Sequence, residues 1–175
     1  MVDRPPAVSA APTVLVGRAS DASPTPAPDV PDASIGSDMI VGFPGETARQ
    51  FDANVAYLPS SPLTHLHVFP YSDRPGTAAT AMTGKVGGPT VRDRAMILRG
   101  IGADLTRRFH ASQAGTLRSG LTLEDGTLVV TDNYLKVRIA EGLPRNQRVN
   151  VRLTESAGTL LGVVEPNPVE PSRTS

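Results

Sequence analysis

The sequence predicts an α/β segment over residues 38–112, followed by a small all-β barrel over residues 113–165. Two short apolar runs on either side of a helical pattern, and a longer amphipathic stretch after them, predict the α/β segment. Beyond Thr116 the hydrophobic period changes to two, with turn residues between short runs, and this predicts a small antiparallel barrel. Residues 1–37 hold seven of the 17 prolines, and we expect them and the tail at 166–175 to be disordered.

Composition excludes several classes of protein. Lys and Arg number 17 and Asp and Glu also number 17, so a charge field that captures nucleic acid by itself is not indicated. The chain has no cysteine, which excludes disulfides, cysteine-ligated zinc and an iron–sulfur cluster held by this chain alone. No apolar stretch approaches the ~20 residues of a membrane span, and prolines interrupt the N-terminal region where a signal peptide is apolar. We therefore predict a cytoplasmic protein without membrane contact.

The α/β segment begins with a strand, a tight turn and a helix. Residues 39–41 form a short apolar run that predicts a buried strand, and the glycine-rich stretch 42–45 predicts a turn after it. Thr47, with Gln50 three residues later, is a capping-box pattern that predicts the start of a helix. The helix is expected to end at Pro59.

A second strand is predicted over residues 64–71. Alternation places Leu66 and Val68 on one face, and two histidines and a phenylalanine on the other. Strand, helix and strand together form one βαβ unit, whose parallel pairing needs further strands and covering helices that the chain does not obviously supply.

A long helix follows, for which we predict Thr90 as the N-cap and Asp93 as the favourable acid of the first turn. Its predicted apolar stripe comprises Val91, Ala95, Leu98, Ile101, Leu105 and Phe109. Six arginines lie between residues 91 and 118, and we favour a solvated face for them over phosphate contacts. The barrel strands are predicted at 116–123, 127–131, 134–140, 147–154 and 159–164.

Three motifs carry a resemblance to a known family. Residues 38–47 (DMIVGFPGET) and 67–77 (HVFPYSDRPGT) resemble the radical-SAM methylthiotransferases that modify tRNA, and residues 132–137 (DNYLKV) resemble the RNA-binding TRAM domain of those enzymes. The resemblance is strongest to the threonylcarbamoyladenosine type, which installs a methylthio group on the modified adenosine next to the anticodon. It implies that residues 38–112 are the C-terminal fragment of a radical-SAM (βα) partial barrel with its connecting helix, and that residues 113–165 are an OB-like TRAM barrel.

The resemblance also implies S-adenosylmethionine and [4Fe–4S] clusters as the family's cofactors. It assigns the S-adenosylmethionine side of that site to Val41, Gly42, Phe43, Pro44 and Glu46. A glycine there lets the backbone approach an adenine or ribose closely, whereas the alternative is a plain strand-to-helix turn with Glu46 favouring the helix N-terminus. The family's CxxxCxxC loop is missing from this sequence. A truncated gene, a frameshift or a misplaced start would each produce a chain without that loop. We therefore predict no cluster and no catalytic residue on this chain.

Phe69, Tyr71 and Arg74 are the predicted substrate contacts. They lie at the end of the second strand, where aromatic and guanidinium planes can stack on a flipped-out base. The alternative is a core phenylalanine beside a surface Tyr–Arg pair. His65 and His67 share one strand face and can both ligate a metal, but no third ligand lies nearby in the sequence, so we predict no metal site.

The predicted RNA contacts of the barrel are Arg118, Asn133, Tyr134, Lys136, Arg138 and Arg148. Alternation places Lys136 and Arg138 on one face and Val137 on the opposite one, so the basic pair is expected to face solvent. Tyr134 is expected either to stack on a base or to lie in the barrel core.

The predicted function is therefore that of a tRNA methylthiotransferase, present here as a part that is inactive alone. Its predicted partner is tRNA, and the sequence indicates no protein partner. A stand-alone RNA-binding TRAM module without catalysis is the alternative, and a nonfunctional remnant with an exposed sheet face is a third possibility.

Overall fold

The computed structural model describes residues 32–166. The predicted disorder of residues 1–31 and 167–175 lies outside the described residues. Residues 32–37 differ from that prediction, because Ile35 accepts a hydrogen bond from Thr64 and Gly36 begins the first strand. The α/β part contains β1 (Gly36–Val41), α1 (Ala48–Tyr57) and β2 (His65–Pro70), and the two strands pair in parallel. The predicted βαβ unit is thereby confirmed, although β1 begins two residues before the predicted boundary at residue 38. Pairing begins earlier because Thr64 also bonds to the backbone of Ile35, through N–H···O at 2.8 Å.

Helix α1 begins as its sequence predicts. The Thr47 side chain accepts from the Gln50 N–H at 3.2 Å, and the Gln50 side chain accepts from the Thr47 N–H at 2.9 Å, so both halves of the capping box are formed. Phe51 and Leu58 are buried against the sheet side of the molecule.

Helix α2 (Gly88–Gln113) connects the two parts of the chain. Its apolar stripe is buried or half-buried as predicted, but its start is not where we expected it. The N-cap is Gly87, Pro89 lies in the first turn, and neither Thr90 nor Asp93 performs the predicted role. Proline in the first turn explains the earlier start, because its fixed φ suits a helix and its missing N–H has no partner there anyway.

Gly102 lies where α2 crosses β2. A Cβ built on Gly102 would lie 3.2 Å from the Cβ of Leu66, so this glycine lets the helix and the strand approach closely. Val41, Leu98 and Ala95 are buried in the same cluster, against which Leu66 packs.

The barrel has five strands in the closed order β3-β4-β5-β7-β6, namely β3 (Leu117–Leu123), β4 (Leu128–Thr131), β5 (Lys136–Ile139), β6 (Arg148–Ser156) and β7 (Thr159–Glu165). All five were predicted from the period of two, and the order is that of an OB-type Greek-key barrel. The expectation of a purely antiparallel barrel is wrong at one pair, because β5 and β7 run parallel to close it.

The barrel has its own hydrophobic core. Val129, Val137, Val151 and Leu153 are buried within it, and Phe109 of α2 packs on the same cluster. Strand β5 begins two residues later than predicted, because Tyr134 adopts φ +64° in a turn that the strand cannot include.

Candidate nucleic-acid interface

The side chain of Glu46 stabilises the glycine-rich turn after β1 through hydrogen bonds. The Glu46 carboxylate accepts from the Gly42 N–H at 2.6 Å and from the Arg94 guanidinium at 2.8 Å. Both side chains of this ion pair are nearly buried, at 12% and 10% exposure, and Arg94 lies 5.0 Å from the centroid of the Phe51 ring. Glu46 thus joins the turn to α2, instead of completing the N-terminus of α1 by itself.

Gly42 has φ +79°, and a Cβ there would lie 2.4 Å from Val91 of α2. This glycine therefore makes room for a helix side chain. Val41 and Pro44 are buried and Phe43 is half-buried. These placements favour the strand-to-helix-turn interpretation for Gly42 and Glu46, and the cofactor role of this turn stays a prediction.

Beyond the carboxyl end of β2, three polar side chains form a small cluster. The Tyr71 hydroxyl donates to Asp73 at 3.0 Å, and Lys85 pairs with the other oxygen of Asp73 at 2.5 Å. Hydrogen bonds from Lys85 and then Tyr71 lower the pKa of Asp73, while desolvation and the bond to Asp73 raise the pKa of Tyr71. The Tyr71 ring also meets Phe43 edge-on, with centroids 5.3 Å apart.

The alternative interpretation of the substrate residues is wrong in both its parts. Phe69 is not in the core, since it is 50% exposed. Tyr71 donates its hydrogen bond to Asp73 and does not form the pair with Arg74 that this interpretation requires. Phe69 lies opposite Ile40 in the parallel register, and Ile40 is 57% exposed. At its carboxyl end this sheet face therefore exposes two apolar side chains, which the described residues do not cover.

His65 and His67 lie on the same sheet face, with ring centroids 5.3 Å apart. His65 Nδ1 lies within hydrogen-bonding distance of the Thr64 hydroxyl, at 3.0 Å. Between residues 32 and 166, no three His, Asp or Glu side chains are grouped so that they could hold a metal ion.

On the barrel, Lys136 and Arg138 point to solvent while Val137 and Ile139 point inward, as the alternation predicted. Arg148 is also exposed, but it lies on β6, which β7 separates from β5. The three cations therefore do not share one strand pair.

Arg118 and Asn133, two of the predicted RNA contacts, lie in a buried polar network, and their role in RNA binding stays a prediction. Arg118 is 11% exposed and bonds to Asp32 at 2.6 Å and to the Gln113 side-chain oxygen at 2.7 Å. Asn133 donates to the same Gln113 oxygen at 3.0 Å and to the Asp32 carbonyl at 3.1 Å. The network ties the segment before β1, the end of α2 and the barrel together, and one donor in it, Arg118 Nε, is buried with no partner in the described structure.

Tyr134 is 82% exposed, so a core position for this side chain is wrong. Tyr134 directly follows Asn133 on the turn between β4 and β5. The first of these two residues is therefore buried and the second is exposed to solvent. Sequence reasoning did not single out Asp73, Lys85, Arg94 or Gln113. Asp73 lies within the quoted 67–77 motif and was the one of the four with a local signal.

The described part of the chain contains no helix that is long and apolar enough to span a bilayer. The described residues thus form a βαβ unit that a long helix joins to an OB-type barrel with solvent-facing cations and an exposed tyrosine. Barrels of this type often bind nucleic acid. No protein-family model matches the chain.

Curated relatives identify the family. The chain is 33% identical over 108 residues to the threonylcarbamoyladenosine tRNA methylthiotransferase of Aquifex aeolicus, covering 62% of this chain and 26% of that protein. It is 31% identical over 165 residues to the ribosomal protein uS12 methylthiotransferase of Solibacter usitatus, covering 82% and 35%. It is 37% identical over 147 residues to the tRNA-2-methylthio-N(6)-dimethylallyladenosine synthase of Methylococcus capsulatus, covering 76% and 32%.

The chain belongs to the radical-SAM methylthiotransferase family. It spans about a third or less of the length of these relatives, at 26%, 35% and 32%. The predicted membership is thereby confirmed.

Proposed function

We propose that the chain is the C-terminal, RNA-binding part of a tRNA methylthiotransferase of the threonylcarbamoyladenosine type. The barrel carries this proposal, because it presents Tyr134, Lys136 and Arg138 to solvent at alternate positions of β5 and the turn before it. Cations positioned for phosphates and an exposed aromatic ring for a base are what an OB-type module needs to bind single-stranded RNA. Relatives named for threonylcarbamoyladenosine tRNA, such as those of Aquifex aeolicus and Rickettsia prowazekii, support the substrate class.

The family's cofactors fit this chain poorly. The clusters need cysteine ligands and the chain has none, so any such ligands must come from residues outside these 175. On the S-adenosylmethionine side, the Glu46 carboxylate already bonds to Gly42 and Arg94. In the tRNA-modifying members of the family, these cofactors supply the radical chemistry that replaces an adenine C–H bond by a C–S bond, and no step of that chemistry is assigned to residues of this chain.

The isolated chain is expected to be catalytically inactive. After anaerobic reconstitution with iron and sulfide, we expect no 5′-deoxyadenosine above background when S-adenosylmethionine and a reductant are added. A full-length relative treated in the same way is the positive control. Product formed by the isolated chain would contradict this expectation.

Removing the two exposed cations of β5 is expected to weaken tRNA binding. The double variant Lys136→Gln/Arg138→Gln should bind about tenfold more weakly at low salt, and the slope of log affinity against log salt should fall by about 2, one unit for each lost phosphate contact. Fluorescence anisotropy with labelled tRNA measures both quantities.

The matched control is Arg92→Gln/Arg99→Gln, which removes two exposed arginines of α2. We expect it to bind as the unaltered chain does, because the arginines of this helix face are assigned to solvent. Equal losses in the two double variants would show that RNA capture depends on net charge and would contradict a barrel interface. Binding of ribosomal protein uS12 without binding of tRNA would move the chain to the substrate class of the Solibacter usitatus relative.

A stand-alone RNA-binding module is the second candidate, and the barrel's separate core favours it. Limited proteolysis distinguishes the two. A protected piece from about residue 110 to 165 with rapid loss of residues 38–90 supports the module, whereas protection across 38–165 supports a folded α/β part that belongs to a larger enzyme.

A further inference from the structure

Tyr134 combines two features that rarely occur together. Its φ of +64° lies in the left-handed region, which costs a residue with a large side chain free energy, and its ring is 82% exposed. The turn holds it in place, since the Tyr134 N–H donates to the Thr131 carbonyl at 2.9 Å and the Leu135 N–H donates to the Thr131 hydroxyl at 3.0 Å. The hydrogen-bonded turn therefore directs the aromatic side chain of Tyr134 into solvent.

This ring borders an open cavity of about 380 Å³ between the barrel and the segment before β1. Its lining includes Asp32, Ser34, Arg118, Asp132, Asn133 and Tyr134. Arg118 and Asn133 are fixed by the buried network described above, so this part of the wall is rigid. Asp132 is exposed, and its carboxylate has no hydrogen-bond partner in the part of the chain that the structure describes.

The chemistry of this wall selects against a phosphate and for a base. Asp132 repels a phosphate, and the cation of Arg118 is already paired with Asp32 at 2.6 Å. A planar base can stack on Tyr134, as bases do on exposed aromatic rings of OB-type modules. A carboxylate with two accepting oxygens then pairs best with a base edge that carries two adjacent N–H donors.

Guanine is the base with that edge, through N1–H and the 2-amino group. We infer that the cavity bounded by Tyr134 and Asp132 binds one unpaired guanine of an RNA strand, with the ring on Tyr134 and the Watson–Crick edge on the Asp132 carboxylate. This inference rests on the proposed RNA binding and deepens it, because it assigns a base-selective subsite beside the phosphate contacts of β5.

Labelled pentaribonucleotides UUGUU, UUIUU and UUAUU, in which I is inosine, test this with the whole chain by fluorescence anisotropy. One bidentate pair discriminates by about 5- to 150-fold, so UUGUU should bind at least about fivefold more tightly than UUAUU. Inosine lacks the 2-amino group and should fall between them. Equal affinities for the three probes would overturn the inference.

Asp132→Asn is the sharpest variant. An amide offers one acceptor and one donor, so it cannot accept from both N1–H and the 2-amino group of guanine, whereas it can pair with the N6 amino group and N1 of adenine. The ratio of guanine to adenine affinity should therefore fall, and an undiminished ratio in this variant would overturn the inference.

Tyr134→Ala should weaken binding of all three probes by about 5- to 150-fold, while Tyr134→Phe keeps the stacking ring and should bind normally. Circular dichroism establishes whether the alanine variant is folded. If it is not, the affinities of Asp132→Asn and Tyr134→Phe for the three probes test the inference in its place. Normal binding by a folded Tyr134→Ala chain would overturn the inference.

The outcomes separate this inference from the proposed function. Two results together support the proposed function and the guanine subsite. First, tRNA binds, and the chain prefers guanine to adenine. Second, Lys136→Gln/Arg138→Gln weakens the binding of all probes without changing the ratio of guanine to adenine affinity. If tRNA binds but no base is preferred, the subsite fails and the proposed function stands. If neither tRNA nor any pentamer binds, both fail.

Discussion

Gly126→Ala is expected to destabilise the barrel by at least about 3 kcal/mol, which is a large share of the stability of a small domain. A Cβ at this position would lie 1.6 Å from the Leu143 carbonyl oxygen, and φ is +85°. The clash is with backbone, which cannot rotate away as a side chain can. Relief therefore requires breaking the Leu143 N–H bond to the Gly126 carbonyl, which is 3.2 Å long.

The matched control is Gly158→Ala, in the turn between β6 and β7. Gly158 also has a positive φ, +76°, but a Cβ there would meet no atom within 4 Å. Alanine at Gly158 should cost only the left-handed backbone penalty, about 1–2 kcal/mol. Urea unfolding followed by far-ultraviolet circular dichroism gives both free energies, and equal losses in the two variants would contradict the close contact between Gly126 and Leu143.

The second large effect is expected at the ion pair between the glycine-rich turn and α2. Glu46→Gln should destabilise the α/β part by about 3 kcal/mol, because it leaves the nearly buried charge of Arg94 without its partner. The same urea titration measures this loss. Asp104→Asn breaks the exposed pair with Arg107 on α2, where the side chains are 64% and 71% exposed, and should cost less than about 1 kcal/mol.

A double variant tests the cause of that loss. Glu46→Gln/Arg94→Met removes both charges and keeps a side-chain acceptor for the Gly42 N–H, so it should be less destabilising than Glu46→Gln alone. If the double variant were the worse of the two, the uncompensated charge of Arg94 would not be the reason for the loss.

Local patterns predicted most of the elements. The alternation of residues in β5 predicted its inner and outer faces, and the Thr47–Gln50 capping box located the start of α1. The start of α2 was misplaced because Pro89 and Gly87 compete with Thr90 for the first turn, and a proline already satisfies that turn without a side-chain cap. The parallel pairing of β5 with β7 depends on how the strands are arranged in the tertiary structure. The alternation pattern within a single strand does not specify that arrangement.

The site was predicted less well, because its contacts join residues that are far apart in the sequence. Glu46 and Arg94 are 48 positions apart, and Asn133 reaches Asp32 across 101 positions. The sequence pattern predicts a solvent-facing charge for an arginine on a helix when no partner is evident nearby. That pattern therefore places Arg94 on the surface with its neighbours. Tyr134 was left open between core and surface, since only the left-handed turn decides which way its ring points.

Hydrogen exchange of backbone amides, measured with and without tRNA, tests the central proposal most directly. If the barrel is the RNA-binding part, tRNA should slow exchange in the turn before β5 and along Lys136–Ile139. Exchange in α1, Ala48–Tyr57, should stay unchanged. Slowing confined to the α/β part, with none in the barrel, would contradict the proposal.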